Sequence, residues 1–130
     1  MLSLNEVRLI GNLGSDPEIR AMKNGKEVAN LSVATSEHWK DKESGERKER
    51  TEWHRVSVFA PGLVKTIKDL YKKGQRVYIE GKLQTRSWEK DGQTHYSTEI
   101  VVEGFVGTVR LVDAKPGAEP ELVADEAEAA

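Results

Sequence analysis

The sequence predicts a small all-β domain, a five-stranded barrel with one short helix. Three observations support this prediction. Segments that alternate apolar and polar residues recur through most of the first 112 residues. Turn sequences such as Asn24-Gly25 and Asp91-Gly92 separate them. A single stretch with helical spacing lies between the third and the fourth of five alternating segments.

The first strand is predicted over residues 4–13, with Gly11 as a bulge or bend. A short extended piece over 18–22 precedes a hairpin turn at 23–26, and the second strand covers 27–37. The second strand places four residues inward and three small polar residues outward, which are Ala29, Leu31, Val33 and Thr35 against Asn30, Ser32 and Ser36.

Residues 38–50 are almost wholly polar and predict a long hairpin arm that projects from the sheet. Trp39 lies at its base, and parity assigns it to the inward face unless the strand bulges or leaves the body there. The third strand, 51–59, carries Val56 and Val58 on one face. Its other face carries Trp53, Arg55, Ser57 and Phe59. This face is either core or a surface that stacks a planar, negatively charged ligand.

Pro61-Gly62 begins a helix of about ten residues. Its apolar stripe consists of Leu63, Val64, Ile67, Leu70 and Tyr71. Gly74 is expected as its left-handed cap. The fourth strand starts at Arg76 and brings Trp88 to a charged face, which favours a ligand contact over core. The final strand is expected from Tyr96 through Phe105 to about Val112.

Five strands with one short helix between strands 3 and 4 is the connectivity of the OB-fold, a Greek-key barrel whose open face binds oligonucleotides or oligosaccharides. Single-stranded nucleic acid suits the aromatic and basic residues of strands two to four, because bases stack and phosphates attract cations. Single-stranded RNA binding remains an alternative, since stacking does not distinguish ribose from deoxyribose. A nuclease would need clustered carboxylates, whereas the acidic residues here are scattered, so no enzyme is expected.

Composition narrows the class of protein further. The chain has no cysteine, and His38, His54 and His95 lack metal-ligand spacing, so no metal or other cofactor is expected. The sequence contains neither a long apolar run nor a signal-peptide pattern, which predicts a soluble intracellular protein without a membrane partner.

Charge divides the chain in two. Residues 113–130 hold six acidic residues and one base, a net charge of -5, whereas residues 1–112 hold 19 bases and 16 acidic residues, a net charge of +3. We therefore expect a nucleic-acid-binding domain over 1–112 and a short, acidic, disordered tail over 113–130.

Four segments resemble bacterial-type single-stranded DNA-binding proteins. They are residues 11–18 (GNLGSDPE), 34–37 (ATSE), 51–56 (TEWHRV) and 77–88 (VYIEGKLQTRSW). The resemblance extends over residues 2–112. It implies an OB-fold that assembles as a homotetramer and binds single-stranded DNA in replication, recombination and repair, in the cytoplasm and associated with the nucleoid.

The resemblance also implies roles for individual residues. The base-stacking aromatics correspond to Trp39, Trp53, Phe59 and Trp88, and the phosphate-contacting bases to Lys42, Arg55, Lys73 and Arg86. For Trp39, the resemblance therefore overrides the parity argument, which assigned this residue to the inward face. His54 corresponds to a histidine at a subunit interface. Arg76 stands where the family often has a glutamine at a contact between dimers.

The tail departs from the family pattern. Family tails usually end in Asp-Asp-Asp-Ile-Pro-Phe, which docks partner proteins, whereas this chain ends Glu126-Ala127-Glu128-Ala129-Ala130. Protein partners that bind through the tail are therefore not expected.

Overall fold

The computed structural model describes residues 2–104 and 107–112. The predicted tail and Phe105 lie outside the described residues. The elements in chain order are the strands β1 (Val7–Leu13), β2 (Glu18–Ala21), β3 (Glu27–Lys40) and β4 (Arg47–Val58), the helix α1 (Pro61–Leu70), and the strands β5 (Arg76–Lys90), β6 (Gln93–Val102) and β7 (Thr108–Leu111).

Five of these strands close into a barrel in the order β1, β3, β4, β6, β5 and back to β1. All neighbouring pairs are antiparallel except β4 and β6, which run parallel. Closure depends on β1, which pairs with β5 along most of its length and with β3 at Asn12 and Leu13. The predicted OB-fold, with its helix between the third and fourth barrel strands, is confirmed.

Gly11 lies where β1 passes from β5 to β3. A Cβ atom there would approach the carbonyl oxygen of Ala34 to 2.3 Å, so only glycine allows the two strands to come this close. The glycine at this position therefore serves barrel closure.

The barrel interior is filled by β-branched and aliphatic side chains from the inward faces of the five strands. Ala29, Leu31 and Val33 are buried as predicted, and so are Val56 and Val58. Helix α1 covers one end of this core with Val64 and Ile67.

The helix ends earlier than the predicted cap. Tyr71 is already extended, and its N–H donates to the carbonyl oxygen of Ile67. Gly74 has a positive φ of 92°, but it belongs to the turn that leads into β5, where its N–H donates to the carbonyl oxygen of Leu13. Leu70, predicted in the apolar stripe, is instead exposed at the end of the helix. Within the described part of the chain, no helix combines the length and apolarity needed to cross a membrane.

The last predicted strand is two strands. β6 ends at Val102. β7 then pairs antiparallel with β5, on the side of β5 opposite to β1. Val112 follows β7 and packs against Tyr78, which is why this outward-facing tyrosine is buried.

The polar arm predicted over 38–50 is a continuation of β3 and β4 rather than a separate element. The pairing runs without interruption to Lys40 and Arg47, and Gly45 takes the positive φ in the turn at the tip. β5 and β6 form a second long hairpin, which turns at Asp91 and Gly92 with φ of 54° and 77°. Both hairpins extend beyond the closed barrel.

Candidate nucleic-acid interface

The outward face of β4 presents an aromatic ring and a cation side by side. Cross-strand pairing puts Trp53 opposite Ala34 and Arg55 opposite Ser32. Because these partners are small, they leave the larger side chains uncovered, and Trp53 is 62% exposed. Ser57, predicted on the same face, is buried and donates a hydrogen bond to Oδ1 of Asn30.

Trp53 leans on the loop after β1. A Cβ atom at Gly14 would lie 2.3 Å from Cζ3 and 2.8 Å from Cη2 of the indole, so the ring rests directly on the glycine backbone. One edge of the ring is thus held in place while much of the side chain remains open to solvent. An aromatic surface fixed in this way can stack a planar group without first losing much side-chain entropy.

The outward face of β5 and β6 continues the same surface. Val56 pairs with Ile100 and both are buried, so the residues of β6 that alternate with Ile100 face outward together with Trp53 and Arg55. Through the β5–β6 register, Arg86 and Trp88 share this face. The four residues that the sequence placed on ligand-facing positions of two distant strands therefore lie on one side of the sheet.

Trp88 is less free than Trp53. The Arg86 guanidinium carbon lies 5.2 Å from the centroid of its ring, and the His95 ring stacks at 5.7 Å with an angle of 23° between the planes. Trp88 remains 39% exposed. These contacts fix the orientation of the indole, and a base that stacks on it has to share or displace one of the two neighbours.

A cleft of about 330 Å³ lies between these two parts of the surface. We call it the charged groove, because six of its lining residues are ionisable. They are Asp16, Glu18, Arg20, Arg55, Arg86 and Glu99. Two arginines are held by neighbouring carboxylates, Arg20 by Glu18 at 2.6 Å and Arg86 by Glu99 at 3.2 Å.

Trp39 lies on the inward face of the β3–β4 hairpin, opposite to the face that carries Trp53. Its cross-strand partner is Lys48, and its parity matches the buried Val33, as predicted. It is nevertheless 47% exposed, because β3 has left the barrel at this point and no core covers that face. The parity predicted for Trp39 is therefore right, and its exposure excludes the core interpretation that the family resemblance had already set aside, while its role in base stacking stays a prediction.

The remaining predicted contact residues are spread around this surface. Phe59 directly follows β4, donates its N–H to the carbonyl oxygen of Val102, and is 36% exposed. Lys42 belongs to the turn at the tip of the arm. Lys73 lies in the turn before β5, where its N–H donates to Oδ1 of Asp16, a residue of the charged groove.

His54 and Arg76, the predicted interface residues, lie apart from the charged groove. His54 faces inward at the rim of the barrel, half-buried, with Nε2 2.8 Å from Oγ1 of Thr35 in a shared hydrogen bond. Arg76 is exposed at the start of β5, where it pairs with Asn12 of β1.

Three residues of this surface were missed by the sequence analysis, namely Gly14, His95 and Glu99. The hairpin turn at Asp91 and Gly92 contains the signal for His95, because a two-residue turn fixes the register and sets Trp88 opposite His95. The contact of Gly14 with Trp53 has no comparable local signal. Within the described residues, no group of three or more histidines and carboxylates has the arrangement to hold a metal ion.

Comparison with known proteins shows that the chain is similar to members of one protein family. Residues 4–111 match the model of the single-strand binding protein family. A single-stranded DNA-binding protein of Rhizobium meliloti is 53% identical over 116 residues, which cover 88% of this chain and 67% of the relative. A protein of the same name from Rickettsia felis is 54% identical over 114 residues, which cover 87% of this chain and 75% of the relative.

Solved structures are similar over the same region. The Plasmodium falciparum SSB, solved as a complex with ssDNA, aligns with a TM-score of 0.79 and 38% identity over 87% of this chain and 98% of its own. A deletion mutant of the single-stranded DNA binding protein from Thermus aquaticus aligns with a TM-score of 0.70 and 31% identity over 86% of this chain and 52% of its own.

Proposed function

Because the chain belongs to the single-strand binding protein family, we propose that it binds single-stranded DNA by base stacking and phosphate contacts, largely independently of sequence. In this role it protects and organises exposed strands during replication, recombination and repair. The family consists of DNA-binding proteins without enzymatic activity, in agreement with the expectation from the sequence. The comparisons give no support to the alternative of an RNA-binding protein.

The observation that carries this proposal is the joint outward face of β4, β5 and β6. Trp53 with Arg55 and Trp88 with Arg86 each combine a flat ring with a cation, and both pairs lie on one side of the sheet. Every base offers a flat face and every nucleotide a phosphate, so a strand that crosses this face meets both kinds of partner without a readout of sequence.

Titration with oligo-dT, followed by tryptophan fluorescence, tests the proposal. We expect single-stranded DNA to quench most of the emission, because all three tryptophans are at least 39% exposed. Duplex DNA of the same length should quench far less, since its bases are already stacked. Equal quenching by the two forms would exclude stacking as the mode of binding.

We also propose that the protein assembles as a homotetramer. The support is a set of large apolar side chains that the monomer leaves open, including Leu83 at 49% and Tyr96 at 71% exposure on the inward side of the second hairpin, and Ile10 at 40% on β1. His54 and Arg76 are the residues proposed at the contacts between subunits. Sedimentation should give the mass of four chains of 14.5 kDa, and a single-chain mass at micromolar concentration would refute the assembly.

The proposed place of action is the cytoplasm, in association with the nucleoid. The acidic tail is proposed as a separate segment beyond a domain of residues 1–112.

A further inference from the structure

The charged groove is balanced in charge. Its three arginines, Arg20, Arg55 and Arg86, face three carboxylates, those of Asp16, Glu18 and Glu99. A site that only neutralises phosphate gains from an excess of positive charge, and each carboxylate within it repels the ligand. A balanced site suits a ligand that presents hydrogen-bond donors and acceptors together, as the edge of a nucleobase does.

Glu99 is the least accessible charged group of the groove. Its side chain is 13% exposed, whereas that of Arg86 is 55% exposed. Nε of Arg86 donates to Oε2 of Glu99, and within residues 2–104 and 107–112 Arg86 is the only hydrogen-bonding or ion-pairing partner of this carboxylate. The carboxylate therefore keeps acceptor capacity for a group that enters the groove.

Arg55 supplies a donor on the other strand. Its guanidinium has no hydrogen-bond or ion-pair partner among the described residues, and it lines the same groove as Arg86 and Glu99. Trp53 stands two residues before it on the same outward face of β4. A base stacked near Trp53 can therefore direct its polar edge towards two arginines and one carboxylate.

We propose that the charged groove reads the edge of one base, that its preferred occupant is guanine, and that Glu99 is the residue responsible for the preference. This inference rests on the proposed function, to which it adds a local base preference on a surface that is otherwise tolerant of sequence. A volume of about 330 Å³ is within the range of pockets that hold small planar ligands.

Guanine fits because of the order of its polar groups. Its N1–H and N2–H are adjacent donors, which a carboxylate accepts together, and its O6 and N7 are adjacent acceptors, which arginine contacts with two donors. Thymine offers a single N–H between two carbonyl groups, while cytosine and adenine each offer one amino group beside a ring acceptor. Only guanine provides two neighbouring donors for Glu99 and two neighbouring acceptors for an arginine.

The test uses short dT oligonucleotides in which one central residue is dT, dG, dC, deoxyinosine or 7-deaza-dG, with binding measured by fluorescence anisotropy at fixed salt. We expect the dG oligonucleotide to bind at least about fivefold more tightly than all-dT. Deoxyinosine, which lacks the N2 amino group, should lose most of this gain. 7-deaza-dG should lose part of it, because it lacks one acceptor for arginine.

Glu99→Gln and Glu103→Gln form a matched pair of variants. Both remove one carboxylate from β6 or the residue after it, and both release a cation, Arg86 in the first case and Lys82 in the second. Each should strengthen binding to the all-dT oligonucleotide through its loss of negative charge. Only Glu99→Gln should abolish the preference for dG over deoxyinosine.

Two results would overturn the inference. Equal affinities of the wild-type protein for dG, deoxyinosine and dT oligonucleotides would show that the groove reads no base, and this result needs no variant. A dG preference that survives in Glu99→Gln would remove Glu99 from the readout. In both cases tight binding of all-dT would leave the proposed function intact, whereas absence of all-dT binding would refute that function itself.

Discussion

Gly14→Ala should weaken DNA binding through Trp53 alone. The new Cβ would lie 2.3 Å from Cζ3 of the indole, whereas ordinary contacts begin at 3.4 Å, so the ring has to withdraw by about 1 Å. The backbone of Gly14 has no positive φ and accepts alanine. Because Trp53 is 62% exposed, the ring can swing outward without disturbing the core.

The magnitude is bounded by full loss of stacking. Trp53→Ala should weaken the free energy of binding to a short oligo-dT by about 1 to 3 kcal/mol, which raises the Kd roughly 5- to 150-fold. Gly14→Ala should lose a part of this, at least about twofold, while the free energy of unfolding changes by less than about 1 kcal/mol. Anisotropy titrations and thermal unfolding of the same samples measure both quantities.

Gly62→Ala is the control, because a Cβ at Gly62 would meet no atom within 4 Å. It tests the effect of the same chemical change away from the proposed DNA surface and should leave the Kd unchanged. The reasoning fails if Gly14→Ala binds like the wild type while Trp53→Ala binds weakly. If Trp53→Ala unfolds the domain, Trp53 is a core residue and the stacking role is wrong.

Three further expectations concern charge and ring stacking. The logarithm of the binding constant should fall with the logarithm of salt concentration by about 0.7 per phosphate contacted. Arg55→Ala should reduce that slope by about 0.7, the value for one phosphate contact. Lys68→Ala is the control, because Lys68 lies on the helix in an ion pair with Glu27, and it should leave the slope unchanged. A slope that Arg55→Ala leaves unchanged would exclude a phosphate contact of Arg55. The acidic tail, with a net charge of -5, should compete weakly with DNA for the cations of the binding surface. Cutting the chain after Val112 should therefore tighten binding at low salt, an effect that fades above about 0.1 M as charges are screened. Unchanged low-salt affinity would rule out this competition. Trp53→Phe keeps a flat ring and should retain much of the affinity that Trp53→Ala loses, and equal losses in the two variants would contradict stacking.

Much of the fold follows from local sequence patterns. The period of two along β4 separates Val56 and Val58 from Trp53 and Arg55, and the burial of the first pair and the exposure of the second agree with it. The turn at Asp91 and Gly92 sets the register of the second hairpin in the same local way. These features depend on backbone geometry within one strand or one hairpin, so a sequence pattern is sufficient to predict them.

The composition of the groove depends on contacts between distant parts of the chain. Arg55 and Glu99 are brought into one cleft by the parallel pairing of β4 with β6, which no local turn specifies. Trp39 has inward parity, yet it is exposed, because the barrel closes before β3 reaches it. Gly14 supports Trp53 only because β1 and β4 both pair with β3, so that the indole reaches across β3 to the residue after β1. Alternation determines on which side of a strand a residue lies, but only closure of the barrel through β1 and β5 determines where that side is core and where it is surface.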